Sequence, residues 1–156
     1  MLFLLFCASA GFAAEGEFEK GDFWLCPSGE TALYSYSGYT TGYGFALGYG
    51  RGTSIGLKAV FFPGEEGINV LEVNCILRFY FSGGKAYSGT FFQFMGGPVV
   101  FLNNGSFYLP AKVGAFSFGV GLGWRILILD RVFIEPYLRG GYPYMFGAGL
   151  SVGVRF

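Results

Sequence analysis

The chain has 156 residues, of which 13% are charged and 21% are aromatic, so it is long enough for one domain or one small barrel. Soluble domains usually have about a quarter of their residues charged, so this composition leaves little to cover a water-facing surface. The ten basic and ten acidic residues cancel, and nothing in this balance favours nucleic acid as a partner.

The residue types that most often carry chemistry are scarce. Histidine is absent, which removes the commonest general base and the most frequent metal ligand. We therefore expect no enzyme activity, no catalytic residues, no metal and no cofactor. Cys7, Cys26 and Cys75 lack metal-binding spacing and are interpreted as isolated small residues, although a Cys26–Cys75 disulfide stays open as an alternative.

The chain opens with the apolar run MLFLLFCASAGFAA. This run is too short to cross a bilayer as a helix, which takes about 20 residues. Small residues end it, and the polar segment EGEFEKGD follows. We predict a signal peptide at residues 1–14, without the usual basic start, and a mature chain at residues 15–156. The alternative is a buried N-terminal strand or helix.

Beyond this segment, bulky apolar residues alternate with small or polar ones. Examples are TTGYGFALGYG at 40–50 and FSFGVGLGWRILIL at 116–129. A period of two indicates strands, and glycine-rich turn sequences separate them. Residues 106–114 are assigned to a loop because Pro110 and Lys112 break the pattern. The predicted strands are residues 23–36, 40–50, 53–62, 68–81, 90–102, 116–129, 132–139 and 144–156.

Alternation gives the strands one apolar face and one face of glycine, other small or polar residues, and the strand charges. The apolar stripe of the last strand runs Tyr144, Phe146, Ala148, Leu150, Val152, Val154 and Phe156. Glycine-rich faces cannot fill a soluble core, whereas a membrane barrel turns apolar residues to lipid and small or polar ones to its lumen. Closed barrels also satisfy every backbone hydrogen bond within a membrane. We predict an all-β fold, an eight-stranded antiparallel transmembrane β-barrel, rather than a soluble sandwich or lipocalin-like barrel.

The last strand, GAGLSVGVRF with Phe156 at its end, resembles that of small eight-stranded bacterial outer-membrane β-barrels of the OmpX, OmpA-barrel, OmpW and opacity-protein type. Stretches such as GDFWLCPSGE are also similar to small spirochaetal barrel proteins. The resemblance implies a location in the bacterial outer membrane, contact with its lipids, and a monomer. It further implies that Phe156 is an assembly signal read by the outer-membrane assembly machinery, after passage with periplasmic chaperones.

With both ends of the barrel chain in the periplasm, the turns at 50–52, 82–89 and 129–131 are expected there. The outer loops are then 37–40, 63–67, 103–115 and 140–143. Most of these loops are short, whereas adhesive members of the class usually carry long ones. An adhesive role is therefore not favoured.

Several charged residues fall on the glycine face and are expected in the lumen. If the 63–67 loop closes residue 62 against 68, Lys58 lies opposite Glu72. If residue 128 faces 132, Arg125 lies opposite Glu135, and both distances suit ion pairs. Three further lumen cations remain without assigned partners, namely Arg78, Arg139 and Arg155.

An eight-stranded lumen is just wide enough to be filled by side chains, and charges buried there should be paired. The sequence therefore favours a structural or surface-interaction role with the lumen plugged by side chains and ion pairs. The alternative is a narrow small-solute or anion-favouring channel, as in OmpW-like proteins, in which the surplus arginines line the path.

Overall fold

The alternating pattern forms eight antiparallel strands that close into a barrel. The computed structural model describes residues 21–34, 38–64, 68–81, 88–103 and 116–156. The predicted fold is confirmed, while the proposed signal peptide at 1–14 lies outside the described residues. The strands are β1 Asp22–Tyr34, β2 Gly38–Gly50, β3 Thr53–Phe62, β4 Ile68–Tyr80, β5 Gly89–Asn103, β6 Phe116–Leu127, β7 Val132–Tyr142 and β8 Tyr144–Arg155.

Each strand pairs with its neighbours in sequence, and β8 pairs with β1 to close the ring. We call the end of the barrel where β1 begins and β8 ends the near end, and the opposite end the far end. At the near end, the backbone N–H of Phe156 donates to the carbonyl of Phe23 (2.8 Å). At the far end, only Pro143 separates β7 from β8, so the predicted 140–143 loop is mostly strand. The described residues include no helix with the length and apolarity needed to cross a membrane.

The outer face is apolar and carries aromatic residues near both ends. Those near the near end are Phe23, Tyr49, Phe81, Trp124 and Phe156, and those near the far end are Tyr39, Tyr43, Phe116, Phe118 and Tyr142. Tyr39 and Tyr49 lie ten residues apart on β2, which at about 3.3 Å per residue and a tilt of about 40° separates them by about 25 Å along the axis. This distance matches the apolar band of transmembrane barrels.

The inner face combines glycines with large rings from the neighbouring strand. Four such pairs are directly opposed in the sheet, namely Trp24–Gly48, Phe91–Gly123, Phe133–Gly153 and Tyr137–Gly149. A Cβ on Gly48 would lie 2.3 Å from the Trp24 ring, and a Cβ on Gly153 equally close to the Phe133 ring. The small residues thus face inward as predicted. The prediction did not include the rings, which fill the space that the glycines leave.

A bulge in β8 changes which side its first residues face. β1 and β8 pair Leu33 with Phe146 but Tyr34 with Tyr144, so Met145 is an extra residue in the ladder. Met145 and Phe146 are 64% and 50% exposed in succession, and Tyr144 is fully buried. The prediction that Tyr144 belongs to the outer stripe is therefore wrong, because the bulge reverses the alternation at that point.

Candidate functional site

The most distinctive feature of the described residues is a set of charged side chains buried inside the barrel. They comprise four cations and three carboxylates, namely Lys58, Arg78, Arg125, Arg139, Glu30, Glu72 and Glu135. Each makes at least one ion pair. The strands place them there because every second residue faces inward, and the pairs fall into two clusters.

The far cluster lies towards the far end and consists of Lys58, Glu30, Tyr137, Arg139 and Glu72. The Lys58 ammonium contacts the Glu30 carboxylate and donates to Tyr137 Oη (2.8 Å), and Tyr137 donates to Glu30 Oε1 (2.5 Å). Arg139 Nη1 donates to Glu72 Oε2 (2.6 Å). Arg139 Nε is 3.0 Å from Glu30 Oε2, within ion-pair distance but not aligned as a hydrogen bond. Two cations meet two carboxylates, so the far cluster is balanced in charge.

Aromatic and apolar side chains cover the far cluster on the side that faces the far end of the barrel. The hydroxyl of Tyr34 donates to Glu72, and the ring of Tyr144 lies 3.9 Å from the Arg139 guanidinium carbon. An apolar cluster follows towards the far end, formed by Ala32, Tyr34, Val60, Phe62, Val70, Met95, Val99 and Tyr144. The charges are thus separated from the far opening by packed side chains.

The near cluster lies towards the near end and is centred on Glu135. Arg125 Nε lies 2.5 Å from one carboxylate oxygen of Glu135, and Arg78 Nη1 lies 2.9 Å from the other. Arg78 Nε also donates to Gln93 Oε1 (2.9 Å). Aromatic rings pack against both guanidinium groups: the Arg125 carbon is 3.9 Å from the Phe133 centroid, and the Arg78 carbon is 4.6 Å from that of Trp24. Two cations here share one carboxylate.

The structure brings Arg125 and Glu135 together, but it separates the other predicted pair. The β3–β4 register pairs Phe62 with Val70 and Lys58 with Asn74, two residues away from the predicted alignment. The Lys58–Glu72 pair is therefore wrong, because Val70, and not residue 68, is the residue of β4 that pairs with Phe62. Lys58 instead contacts Glu30 and Glu72 contacts Arg139.

The sequence analysis assigned no partners to three further cations, and the structure places these cations in different parts of the barrel. Arg78 and Arg139 are in the interior, and both have carboxylate partners. Arg155 is not a lumen residue: it lies at the near rim, where it donates to the Asp130 carbonyl (2.7 Å) and is 3.4 Å from an Asp22 oxygen. Its position follows from its place at the last residue of β8.

Sequence reasoning did not include Glu30, the residue that joins Lys58 to Arg139. The sequence does contain an indication of its position, because Glu30 alternates in step with Ser28 and the other inward residues of β1. Pro27 weakened the prediction of that strand, so its inward positions were not assigned. Cys26 is a free thiol buried inside the barrel and Cys75 lies on an outward-facing position of β4, so the two do not form the alternative disulfide. Within the described residues, no group of three or more potential ligands could hold a metal ion. Phe156 is exposed at the near end.

Comparisons with solved structures show the fold. The chain is similar to Neisserial surface protein A, with a TM-score of 0.58 and 14% identity over 86% of this chain and 95% of that one. It is similar to the N-terminal β-barrel domain of Pseudomonas aeruginosa OprF, with a TM-score of 0.56 and 17% identity over 88% of this chain and all of that one. A de novo designed transmembrane β-barrel matches with a TM-score of 0.55 and 8% identity, over 88% and 98% of the two chains.

No family model matches the chain, and no curated protein matches it either. The similarity therefore rests on architecture: a closed eight-stranded barrel of the kind that natural outer-membrane proteins and designed transmembrane barrels share. This similarity shows a membrane-barrel fold, and the role of the protein has to be inferred from the side chains of the site.

Proposed function

We propose that this protein is an integral outer-membrane barrel whose lumen is closed to solutes, and which has a structural or surface-interaction role. The observation that carries the proposal is the far cluster, whose contacts cross the lumen. Glu30 on β1 contacts Lys58 on β3 and Arg139 on β7, and Arg139 contacts Glu72 on β4. Strands that are not neighbours in the wall are thereby joined through the middle of the barrel.

The physical case for closure rests on size and on desolvation. An eight-stranded barrel leaves an interior just wide enough for side chains, and here the large rings beside the inward glycines occupy much of it. Removing one charge from this network would leave another buried without a partner, at a cost of several kcal/mol. Fluctuations that open a path for solutes are therefore expected to be rare.

The location and partners are part of the same proposal. The apolar outer face is suited to lipid, and the solved structures of similar fold include a Neisserial surface protein. We infer that the barrel is a monomer in the outer membrane, in contact with its lipids. Phe156 ends the last strand, where the assembly machinery would read it after the chain leaves the periplasmic chaperones. No nucleic acid is involved.

Conductance in planar bilayers tests the closed lumen. Refolded protein should give no stepwise current, because ion pairs and rings cross the lumen at two levels. A Tyr137→Ala/Arg139→Ala double variant removes the bridge between β7 and the opposite wall, and it should conduct. Insertion of both proteins is checked by co-flotation with vesicles, so that a silent protein is known to be in the membrane.

The channel alternative makes the opposite prediction for the same recording. Stepwise, anion-selective currents from the unmodified protein would contradict a closed lumen and support the narrow channel. Fractionation of cells by density tests the location separately, and recovery of the barrel in the inner membrane or in soluble fractions would contradict the outer-membrane proposal.

A further inference from the structure

The buried charges in the described part of the barrel do not cancel. The far cluster holds two cations and two carboxylates, whereas the near cluster holds Arg78 and Arg125 against Glu135 alone. The excess of one positive charge therefore belongs to the near cluster. Cys26 and Tyr80, which lie in this half of the interior, are uncharged in their ordinary states at neutral pH, so neither provides the missing negative charge.

The same place has unused hydrogen-bond donors. Among the described residues, no partner is found for Arg125 Nη2, Trp24 Nε1 or Gln93 Nε2. These side chains are 1%, 2% and 0% exposed, so bulk water does not satisfy them. All three belong to one assembly, because Gln93 accepts from Arg78 (2.9 Å) and the Trp24 ring lies 4.6 and 5.3 Å from the guanidinium carbons of Arg78 and Arg125.

An excess positive charge and several buried donors are together the features that suit a bound anion. A neutral water molecule would satisfy the donors, but it would leave the charge uncompensated in a medium of low dielectric constant, where an unpaired ion is strongly unfavourable. Arg139 Nη2 in the far cluster also has no described partner. Charge is balanced there, however, so water is sufficient for that atom.

We propose that the near cluster binds a small inorganic anion of the size of chloride. The anion is held by the Arg125 guanidinium with the help of the Trp24 indole N–H and the Gln93 amide. It completes the charge balance of the interior and stabilises the closed barrel. The proposal rests on the closed lumen inferred above, because an interior open to water would hydrate the excess charge.

Urea unfolding of the refolded protein in a zwitterionic detergent tests this site. Unfolding is measured in sodium chloride and in sodium gluconate at one ionic strength, since gluconate is too large to enter. We expect a higher unfolding midpoint in chloride. Above the dissociation constant, each tenfold rise in chloride should raise the ratio of folded to unfolded protein about tenfold. Equal midpoints in the two salts would overturn the proposal and leave the aromatic rings around the arginines as the compensation that the described residues provide.

Two variants assign the effect to the near cluster. Arg125→Met leaves Arg78 and Glu135 as a balanced pair, so the difference between chloride and gluconate should disappear. Arg131→Met changes an exposed arginine in the adjacent turn and should retain the difference. A chloride effect that persists in Arg125→Met would contradict the site. If that variant does not refold, wild-type crystals soaked in bromide decide, because an anomalous peak beside Arg125 supports the site and its absence overturns it.

These outcomes are distinct from those of the closed-lumen proposal. A silent barrel whose stability is independent of chloride would leave the closed lumen in place and refute the anion site. A conducting barrel with chloride-dependent stability would refute the closed lumen and leave the site as a binding position along an open path.

Discussion

At the scale of single residues, the interior is organised by rings that lie over glycines on the next strand. Trp24 over Gly48 and Phe133 over Gly153 are directly opposed pairs, and neither glycine could gain a methyl group without meeting the ring. The volume of each ring is thus compensated by the missing side chain of its neighbour. Packing of this kind tolerates neither a smaller ring nor a larger partner.

Replacing one of these glycines tests the packing. Gly48→Ala should destabilise the barrel by about 1–3 kcal/mol, the usual effect of overpacking a core, since the new Cβ would lie 2.3 Å from the Trp24 ring. Gly29→Ala is the matched control, because nothing lies within 4 Å of a Cβ at Gly29. Urea unfolding in detergent measures both variants. Similar losses for the two would contradict the interlocking of ring and glycine.

Replacing Glu135 should destabilise the barrel more than replacing its partner Arg125. Glu135→Gln leaves Arg78 and Arg125 buried together without a carboxylate, and a broken buried pair loses about 3–5 kcal/mol in soluble proteins. Arg125→Met removes one cation and leaves the Arg78–Glu135 pair intact, so its loss should be clearly smaller. The two unfolding free energies are compared in the same detergent and salt. An Arg125→Met variant as unstable as Glu135→Gln would mean that Glu135 does not serve both arginines.

The charged network also shows how far single residues can be assigned from sequence. The alternation of inward and outward residues is sufficient to place Lys58, Arg78 and Arg139 in the interior, because it continues without exception along their strands. Parity does not say which residues meet across the lumen. Glu30 reaches Lys58 and Arg139 from other strands, and such contacts depend on barrel diameter and strand stagger, which have no local signature.

At the scale of the strands, each element combines an inward face that specifies the barrel with an outward face suited to lipid. β6 is the clearest case, since Phe116, Phe118, Val120, Leu122 and Trp124 all point outward and are exposed. Their exposure would be unfavourable in water, whereas hydrocarbon accepts such side chains without loss. The same strand that would aggregate in solution is therefore stable in a bilayer.

A charge on this outer face should be unfavourable in proportion to its depth. Leu122→Arg lies midway along β6 and should destabilise the barrel in lipid vesicles by about 2–4 kcal/mol, the range for arginine at the bilayer midplane. Leu129→Arg is the matched control in the turn after β6, where the expected loss is about 0–1 kcal/mol. Unfolding in vesicles gives both values. Equal values would place β6 differently with respect to the bilayer.

Strand positions could be predicted well from sequence, but register and irregularities could not. The predicted range 53–62 coincides with β3, since turn residues flank it on both sides. The β3–β4 alignment was missed by two residues, because loop composition does not determine which residue first re-enters the ladder. The bulge at Met145 was also invisible, since Tyr144 and Phe146 suit either face of the sheet.

At the scale of the whole molecule, closure gives every strand two antiparallel neighbours. β1 and β8 pair along most of their length, as sequence neighbours do. No strand has an unpaired edge in the described barrel, which is the condition for placing a sheet in hydrocarbon. The barrel is therefore expected to form only when its final pair is made.

The contact between Phe156 and Phe23 at the near end joins the last strand to the first. The order of the strands around the barrel therefore does not require the chain to begin at β1. Because these residues are joined by a 2.8 Å backbone hydrogen bond, a short linker from Phe156 to Gly21, with new ends opened in the 128–131 turn, should give a circular permutant of unchanged topology. It should refold in detergent with the strand-rich circular dichroism and heat-modifiable migration of the original order. In cells it should remain in the periplasm, because Phe156 is then internal, and so should a chain from which Phe156 alone is deleted. Normal outer-membrane abundance of both variants would contradict this prediction, because delivery to the outer membrane would then not depend on Phe156 at the end of the chain.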